Sequence, residues 1–302
     1  MTLRTGLLAC VTFLLLAAPA GAVVGGSPQD PAAVPWYADV GICGGTLIAP
    51  DRVMTAAHCV RGRSLCSLGT GVAGQYRAAV GISMAPGWEH RNGASSVYDD
   101  IALVMLDRPV EGVTPVTLGG APTELATILG KGRTEPSGTV ANGPLRRADL
   151  RTMSDRECKR TWGKALGNDG EHFKDSTMLC AIDPDGRAPL SSGCNGDSGA
   201  PLYTGPNTAP RILGVVSYGG LKCGADHLPS VFAKVRPLPQ LPARPGGAPA
   251  IAPVAGGASK ITGKRSYKVS RRDRGKRILC LVEGSNAGGP ALAPPDGVAV
   301  PR

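Results

Sequence analysis

The sequence predicts an all-β protein, folded as a barrel or a sandwich. Between Val23 and Val235, short apolar segments alternate with glycine, proline, asparagine and aspartate. Apolar segments of this length that end at turn residues are typical of strands rather than helices. A chain of 302 residues is also long enough to bury a large core. Representative apolar segments are 45–48, 52–56, 101–106 and 212–217.

The first 22 residues have the layout of a secretory signal peptide. One arginine precedes an apolar run at 7–18, and small residues follow at 19–22. We expect cleavage after Ala22 or, alternatively, after Ala20, and a secreted, extracellular mature protein. The apolar run is shorter than the roughly 20 residues that a membrane span needs, so we expect no membrane span.

The cysteines that remain after signal removal predict disulfides. Their number is even, and an exported chain with an even number of cysteines usually pairs them. None has the close spacing of a zinc ribbon, and the four histidines are not clustered. We therefore expect neither a metal nor another cofactor. The eight are Cys43, Cys59, Cys66, Cys158, Cys180, Cys194, Cys223 and Cys280.

Charge and composition divide the chain at about residue 237. Residues 23–236 carry 21 basic and 20 acidic side chains, whereas 237–302 carry 11 and three. Proline, glycine and alanine dominate 237–259, which predicts an extended linker before a basic tail at 260–302. The tail could contact anionic polymers weakly or could simply be a solvated surface. We expect a monomer that binds no nucleic acid.

Three separated segments contain the residue types of a nucleophilic hydrolase. They are Thr55–Cys59, which contains His58; Asp99–Leu103, which contains Asp100; and Gly196–Pro201, which contains Ser198. A serine hydroxyl is a weak nucleophile at neutral pH, so it needs a base such as histidine. The histidine in turn needs an acceptor that fixes its tautomer.

These segments, together with Cys43–Ile48 and Ser217–Gly219, resemble the trypsin/chymotrypsin family from about residue 23 to residue 235. The resemblance implies a double six-stranded antiparallel β-barrel, here followed by a short C-terminal tail. It also implies a serine endopeptidase that cleaves proteins or peptides through an acyl-enzyme. The chain order of histidine, aspartate and serine is that of the chymotrypsin template.

The resemblance assigns roles to the site residues. His58, Asp100 and Ser198 would form the catalytic triad, because the family places the acid directly before Ile-Ala-Leu and so favours Asp100 over Asp99. The backbone N–H groups of Gly196 and Ser198 would form the oxyanion hole. Ser217 would line the substrate cleft and bind Asp100.

The resemblance also predicts a buried N-terminus and a substrate pocket. Val23 would pair with Asp197, and signal cleavage would free its amine without a long propeptide. Ser192 would form the pocket floor where trypsin-like members have an aspartate, and a neutral floor disfavours Lys and Arg substrates. Gly219 would leave the mouth open and Ser230 would narrow it, which favours medium or large uncharged side chains.

Three disulfides follow from the resemblance. Cys43–Cys59 would brace the histidine loop, Cys158–Cys180 a surface loop, and Cys194–Cys223 the pocket wall. Cys66 and Cys280 would remain, with their partners undecided.

Several features depart from the family pattern. Ala200 stands where the family usually has glycine, and Lys131 stands where it commonly has tryptophan. The prolines from Pro237 onward exclude the usual C-terminal helix. Residues 68–80 contain no acidic side chain that could bind calcium. Parts of the tail resemble the second half of a bacterial Ig-like repeat.

Two alternatives stay open: a catalytically inactive member of the family, and a protein that binds cell wall or anionic polymers.

Overall fold

The computed structural model describes most of residues 23–235 and four short strands of the tail. The expected signal peptide, the linker, any C-terminal helix and Cys66 lie outside the described residues, as does the side chain of Cys280. The described ranges are 23–63, 68–90, 97–133, 143–167, 173–187, 190–235, 277–280, 283–286, 289–292 and 296–299.

The N-terminal half consists of strands joined by tight turns and one short helix. The elements are β1 (Ser27–Pro28), a 3-10 turn (Pro31–Ala33), β2 (Tyr37–Val40), β3 (Cys43–Ala49), β4 (Arg52–Thr55), α1 (Ala57–Val60), β5 (Gly69–Val72), β6 (Gln75–Met84), β7 (Glu89–His90), β8 (Val97–Tyr98) and β9 (Ala102–Leu106).

The C-terminal half has the same character, with one longer helix. Its elements are β10 (Thr117–Leu118), β11 (Leu125–Gly130), β12 (Arg146–Thr152), α2 (Asp155–Leu166), β13 (Met178–Ile182), β14 (Pro201–Thr204), β15 (Arg211–Tyr218) and β16 (Ser230–Lys234). The tail strands are β17 (Arg277–Cys280), β18 (Glu283–Asn286), β19 (Gly289–Leu292) and β20 (Asp296–Ala299).

The strands close into two six-stranded antiparallel barrels, which confirms the predicted fold class. The first barrel has the order β2-β3-β4-β9-β6-β5. The second has the order β12-β11-β14-β15-β16-β13 and closes where β12 pairs with β13. Closure leaves no long unpaired edge in either barrel.

The barrels pack against each other through apolar side chains and backbone hydrogen bonds. Trp36 of the first barrel meets Tyr203 of the second edge-to-face, with ring centroids 5.2 Å apart. The Trp36 indole also donates to the Asn207 carbonyl at 2.9 Å. Nearby, Gly44 N–H donates to the Ser198 carbonyl at 2.8 Å. The seam therefore joins the two barrels beside the expected nucleophile.

The structure contains the three expected disulfides, but one of them lies in a different part of the fold than the sequence predicted. Cys43–Cys59 joins β3 to α1, and Cys194–Cys223 joins two loops. Cys158–Cys180 does not brace a surface loop, because it connects α2 to β13 and both cysteines are fully buried. The physical reason is that α2 is a capped helix whose inner face packs on the second barrel.

Candidate active site

Asp100 is the centre of a buried hydrogen-bond network in the first barrel. Its side chain is completely buried between β8 and β9. One carboxylate oxygen lies 2.7 Å from His58 Nδ1 and accepts the Ser217 hydroxyl at 2.6 Å. The other oxygen accepts the His58 backbone N–H at 2.9 Å. Asp100 therefore fixes both the position of α1 and the orientation of the imidazole.

Asp99, the rival acid, points elsewhere. Its backbone is left-handed, with φ 51°, which turns consecutive side chains in different directions. Its carboxylate lies against Gly87, where a Cβ atom would overlap it. The structure thus places Asp100, and not Asp99, against His58.

The environment of His58 adjusts its basicity. Burial lowers the pKa of His58, but the hydrogen bond and the negative charge of Asp100 raise it, and the net result is a pKa above the usual 6.5. The ring nevertheless keeps access to solvent, with 31% of its side chain exposed. A histidine in this state can accept a proton near neutral pH and is stabilised once it has done so.

Ser198 lies on a sharp turn at the seam between the barrels. Gly199 has φ 80° and packs against the Gly44 carbonyl and Thr55, where any side chain would overlap its neighbours. Within the part of the chain that the structure describes, the Ser198 hydroxyl makes no hydrogen bond with His58. In free enzymes such contacts are often long and tighten only when substrate binds.

The turn before Ser198 presents backbone donors. Gly196 has φ 97°, a conformation that favours glycine. Asp197 N–H donates to the Cys194 carbonyl at 2.9 Å, whereas the N–H groups of Gly196 and Ser198 have no acceptor among the described residues. Two such donors on one turn can bind a developing oxyanion.

Asp197 occupies a second buried pocket, where it contacts the first residue of the described chain. It accepts N–H groups from Gly132 at 2.8 Å, from Cys194 at 2.9 Å and from Val23. Val23 and Asp197 are both fully buried. Burial raises the pKa of Asp197 to about 7, although the three N–H donors lower it.

Two buried serines of the second barrel lie close to the N-terminal segment, where Ser192 N–H donates to the Val24 carbonyl at 3.1 Å. The Ser192 and Ser230 hydroxyls are 3.2 Å apart, and Ser230 also accepts Gly193 N–H at 3.2 Å. Both serines are buried, and the nearest atoms to a Cβ on Gly219 would be those of Ser230, at 3.9 Å. The structure therefore brings together Ser192, Gly219 and Ser230, and the two serine side chains that meet there are uncharged.

Several supporting residues were not identified from the sequence. Gly130 and Gly132 leave room for Asp197, because a Cβ on either would overlap its carboxylate or backbone. Lys131, noted only as a departure, forms an ion pair with Asp39 at 2.8 Å. A glycine-x-glycine pattern after an apolar strand was the available signal, but its partner lies 65 residues away in the sequence.

One cluster of possible metal ligands occurs among the described residues, around His58. Cys43, His58 and Cys59 have ligand atoms within 4.8 Å of one another, but both sulfurs belong to a disulfide and provide no thiolate. In the part of the chain that is described, no helix is long and apolar enough to cross a membrane.

Comparisons with known proteins identify the family. The Trypsin family profile matches residues 23–240. A trypsin from Saccharopolyspora erythraea is 32% identical over 210 residues, which cover 64% of this chain and 82% of that protein. Chymotrypsin-like elastase family member 1 from Macaca fascicularis is 34% identical over 220 residues, 66% of this chain and 76% of the relative. The human protein of the same name is 34% identical over 213 residues, which cover 64% of this chain and 76% of that protein.

The double barrel and the profile match therefore agree, and the chain belongs to the trypsin family of serine-type endopeptidases.

Proposed function

We propose that the chain is a secreted serine endopeptidase that uses His58, Asp100 and Ser198 as its catalytic triad. The observation that carries this proposal is the hydrogen-bonded sequence from Ser217 through Asp100 to His58. Ser198 attacks the scissile carbonyl, and His58 takes the serine proton and returns it to the leaving amine. Asp100 stays ionised and holds the imidazole in the correct tautomer.

The oxyanion of the tetrahedral intermediate binds the N–H groups of Gly196 and Ser198. Both donors lie on the turn that also carries the nucleophile, so they are fixed relative to its hydroxyl. Loss of one comparable donor in subtilisin, a serine protease of unrelated fold, costs about 3–4 kcal/mol of transition-state stabilisation.

Activation requires a free amine at Val23. In the 302-residue chain Val23 is joined to Ala22, so its nitrogen offers Asp197 a neutral N–H. Signal cleavage after Ala22 would convert that nitrogen into an ammonium group within the same pocket. The protease is then active on export, without a long propeptide.

The substrate pocket selects uncharged side chains. The Ser192 and Ser230 hydroxyls hydrogen-bond to each other and offer no carboxylate to a buried Lys or Arg side chain. Gly219 leaves the mouth open, and Ser230 occupies part of the depth. We expect cleavage after Phe, Leu or other medium or large apolar residues.

The remaining parts of the chain have accessory roles. Residues 1–22 direct export, 237–259 form a linker, and the basic tail at 260–302 contacts anionic polymers weakly. The protease domain at 23–236 acts as a monomer on protein or peptide substrates.

Peptide hydrolysis by the mature protein tests the proposal. We expect kcat/KM on Phe or Leu peptides to exceed that on a matched Arg peptide by at least about 100-fold, because an unpaired buried charge costs several kcal/mol. The Ser198→Ala variant should fold normally and lose nearly all activity. Full activity in that variant would refute the assignment of the nucleophile, and a strong Arg preference would refute the neutral pocket.

A further inference from the structure

Substrate on the leaving-group side of Ser198 must lie against the first barrel. The Ser198 carbonyl accepts Gly44 N–H at 2.8 Å, and the adjacent Cys43 is bonded to Cys59, the neighbour of His58. The neutral pocket of Ser192 lies on the opposite side, on the second barrel. Since the acyl side chain enters that pocket, the leaving amine and the residues after it pass along the wall formed by β3 and α1.

One cation borders this wall from the first barrel. Arg63 is exposed, and its Nη1 atom lies 3.8 Å from the position that a Cβ of Gly41 would occupy. Gly41 and the 59%-exposed Ile42 directly precede Cys43. Within the described ranges, no acidic side chain forms an ion pair with Arg63.

A second cation approaches from the second barrel. Arg133 N–H donates to the carbonyl of Asn195, the residue before Gly196, at 2.9 Å. Arg133 therefore lies beside the proposed oxyanion turn. Its Nε atom is buried and has no hydrogen-bond partner, an arrangement that leaves a donor of a charged group unsatisfied.

The other charges near this wall already have partners. Lys131 pairs with Asp39 at 2.8 Å, so these two charges cancel. Arg61 lies over the Trp88 ring, 5.6 Å from its centroid. Between 23 and 133, as far as the structure describes that range, the wall keeps an excess of positive charge, and Arg63 and Arg133 are the cations there that contact neither an acid nor an aromatic ring.

We propose that Arg63 and Arg133 select substrates with an acidic residue at the first or second position after the scissile bond. This inference rests on the proposed function, because it assumes that Ser198 is the nucleophile. A carboxylate there would pair with the exposed Arg63 guanidinium and be attracted by the positive charge of the partly exposed Arg133 side chain. Two partly exposed ion pairs predict a preference of about fivefold for Glu over the isosteric Gln.

Matched internally quenched peptides test the inference. The peptides share one acyl side, with Phe or Leu before the scissile bond, and carry Glu, Gln or Lys at the first or second position after it. We expect kcat/KM to fall in the order Glu, Gln, Lys, with about fivefold between Glu and Gln at low salt. The preference should shrink in 1 M salt, where the screening length is about 3 Å.

Variants then assign the preference to its residues. R63Q and R133Q should each reduce the ratio of Glu to Gln cleavage, and the double variant should bring it close to one while Gln cleavage continues. K222Q, which removes an exposed charge from the loop on the pocket side, should keep the full preference. If R133Q does not fold because its side chain is partly buried, R63Q alone still provides the result.

The outcomes separate this inference from the proposed function. Cleavage of the Gln peptide without any preference for Glu, or a preference that R63Q leaves undiminished, would overturn the inference alone. Failure to cleave any of the peptides would overturn both.

Discussion

Two aspartates among the residues that the structure describes are completely buried, and their surroundings differ. Asp100 accepts hydrogen bonds from Ser217 and from the ring and backbone of His58, all supplied by the folded domain. Asp197 accepts only neutral N–H groups, from Gly132, Cys194 and Val23, and burial raises its pKa to about 7. The Asp100 site includes a group that can become a cation by protonation, whereas in the uncleaved chain the Asp197 site does not.

The difference indicates how the two sites are completed. A buried carboxylate without a cation carries a desolvation cost, and a positive charge at the Val23 nitrogen would offset it. Asp100 therefore organises the site from within the folded domain. In the proposed activation, Asp197 would link the turn with Gly196 and Ser198 to the chemical state of the N-terminus.

The largest expected effect comes from Asp100→Asn. An asparagine cannot stabilise protonated His58 and favours the wrong imidazole tautomer, so kcat should fall by about 10⁴-fold, the loss this change causes in the chymotrypsin template. Asp99→Asn is the matched control, because Asn tolerates the left-handed backbone and Asp99 lies against Gly87. Equal losses in the two variants would contradict the assignment of the acid.

The next effect concerns the N-terminus. A form that keeps Gly21 and Ala22 ahead of Val23 places no ammonium group beside Asp197. We expect its kcat/KM to be lower by about 100-fold or more, since loss of one partner of a buried ion pair costs roughly 3–5 kcal/mol. Steady-state kinetics of the two purified forms would measure this. Equal activity would show that the Asp197 site needs no cation.

The same extended form should have an unusual pH dependence of stability. Folding raises the pKa of Asp197 from 3.8 to about 7, so the folded state binds the proton more tightly. The contribution of Asp197 to the free energy of unfolding should therefore be largest below pH 4 and fall by roughly 4 kcal/mol as the pH rises to 7. Urea unfolding of the extended form, with its Asp197→Asn variant as control, isolates this contribution. An identical pH profile in the two would contradict it.

A smaller effect is expected for Ser217→Ala. The variant removes one hydrogen bond to Asp100, which should reduce kcat about tenfold, because hydrogen bonds to charged groups contribute about 1.5–3 kcal/mol. The pKa of His58 is already raised, and with one donor fewer the Asp100 charge should raise it further. The acid limb of kcat/KM should therefore lie above pH 6.5 in the parent and higher still in the variant. A limb that moves down would contradict this account.

The sequence predicted much of this arrangement because the relevant residues are in short local motifs. His58 and Ser198 each stand in a turn whose neighbours are themselves informative, and the double barrel followed from the resemblance that these turns carry. The space that Gly130 and Gly132 leave for Asp197 was not predicted, because it depends on a contact between segments far apart in the chain. The prediction that Cys158–Cys180 braces a surface loop was wrong for a related reason: the helix α2 was not recognised, because its apolar face is narrow and interrupted by charged residues.

Labelling with a fluorophosphonate tests the central claim most directly. Mass spectrometry of the mature protein should find one adduct, on Ser198, formed at a rate that falls sharply in Asp100→Asn and in the form extended by Gly21 and Ala22. Each loss would reflect one of the two buried aspartates. An adduct on another residue, or equal labelling rates in all three proteins, would contradict the account.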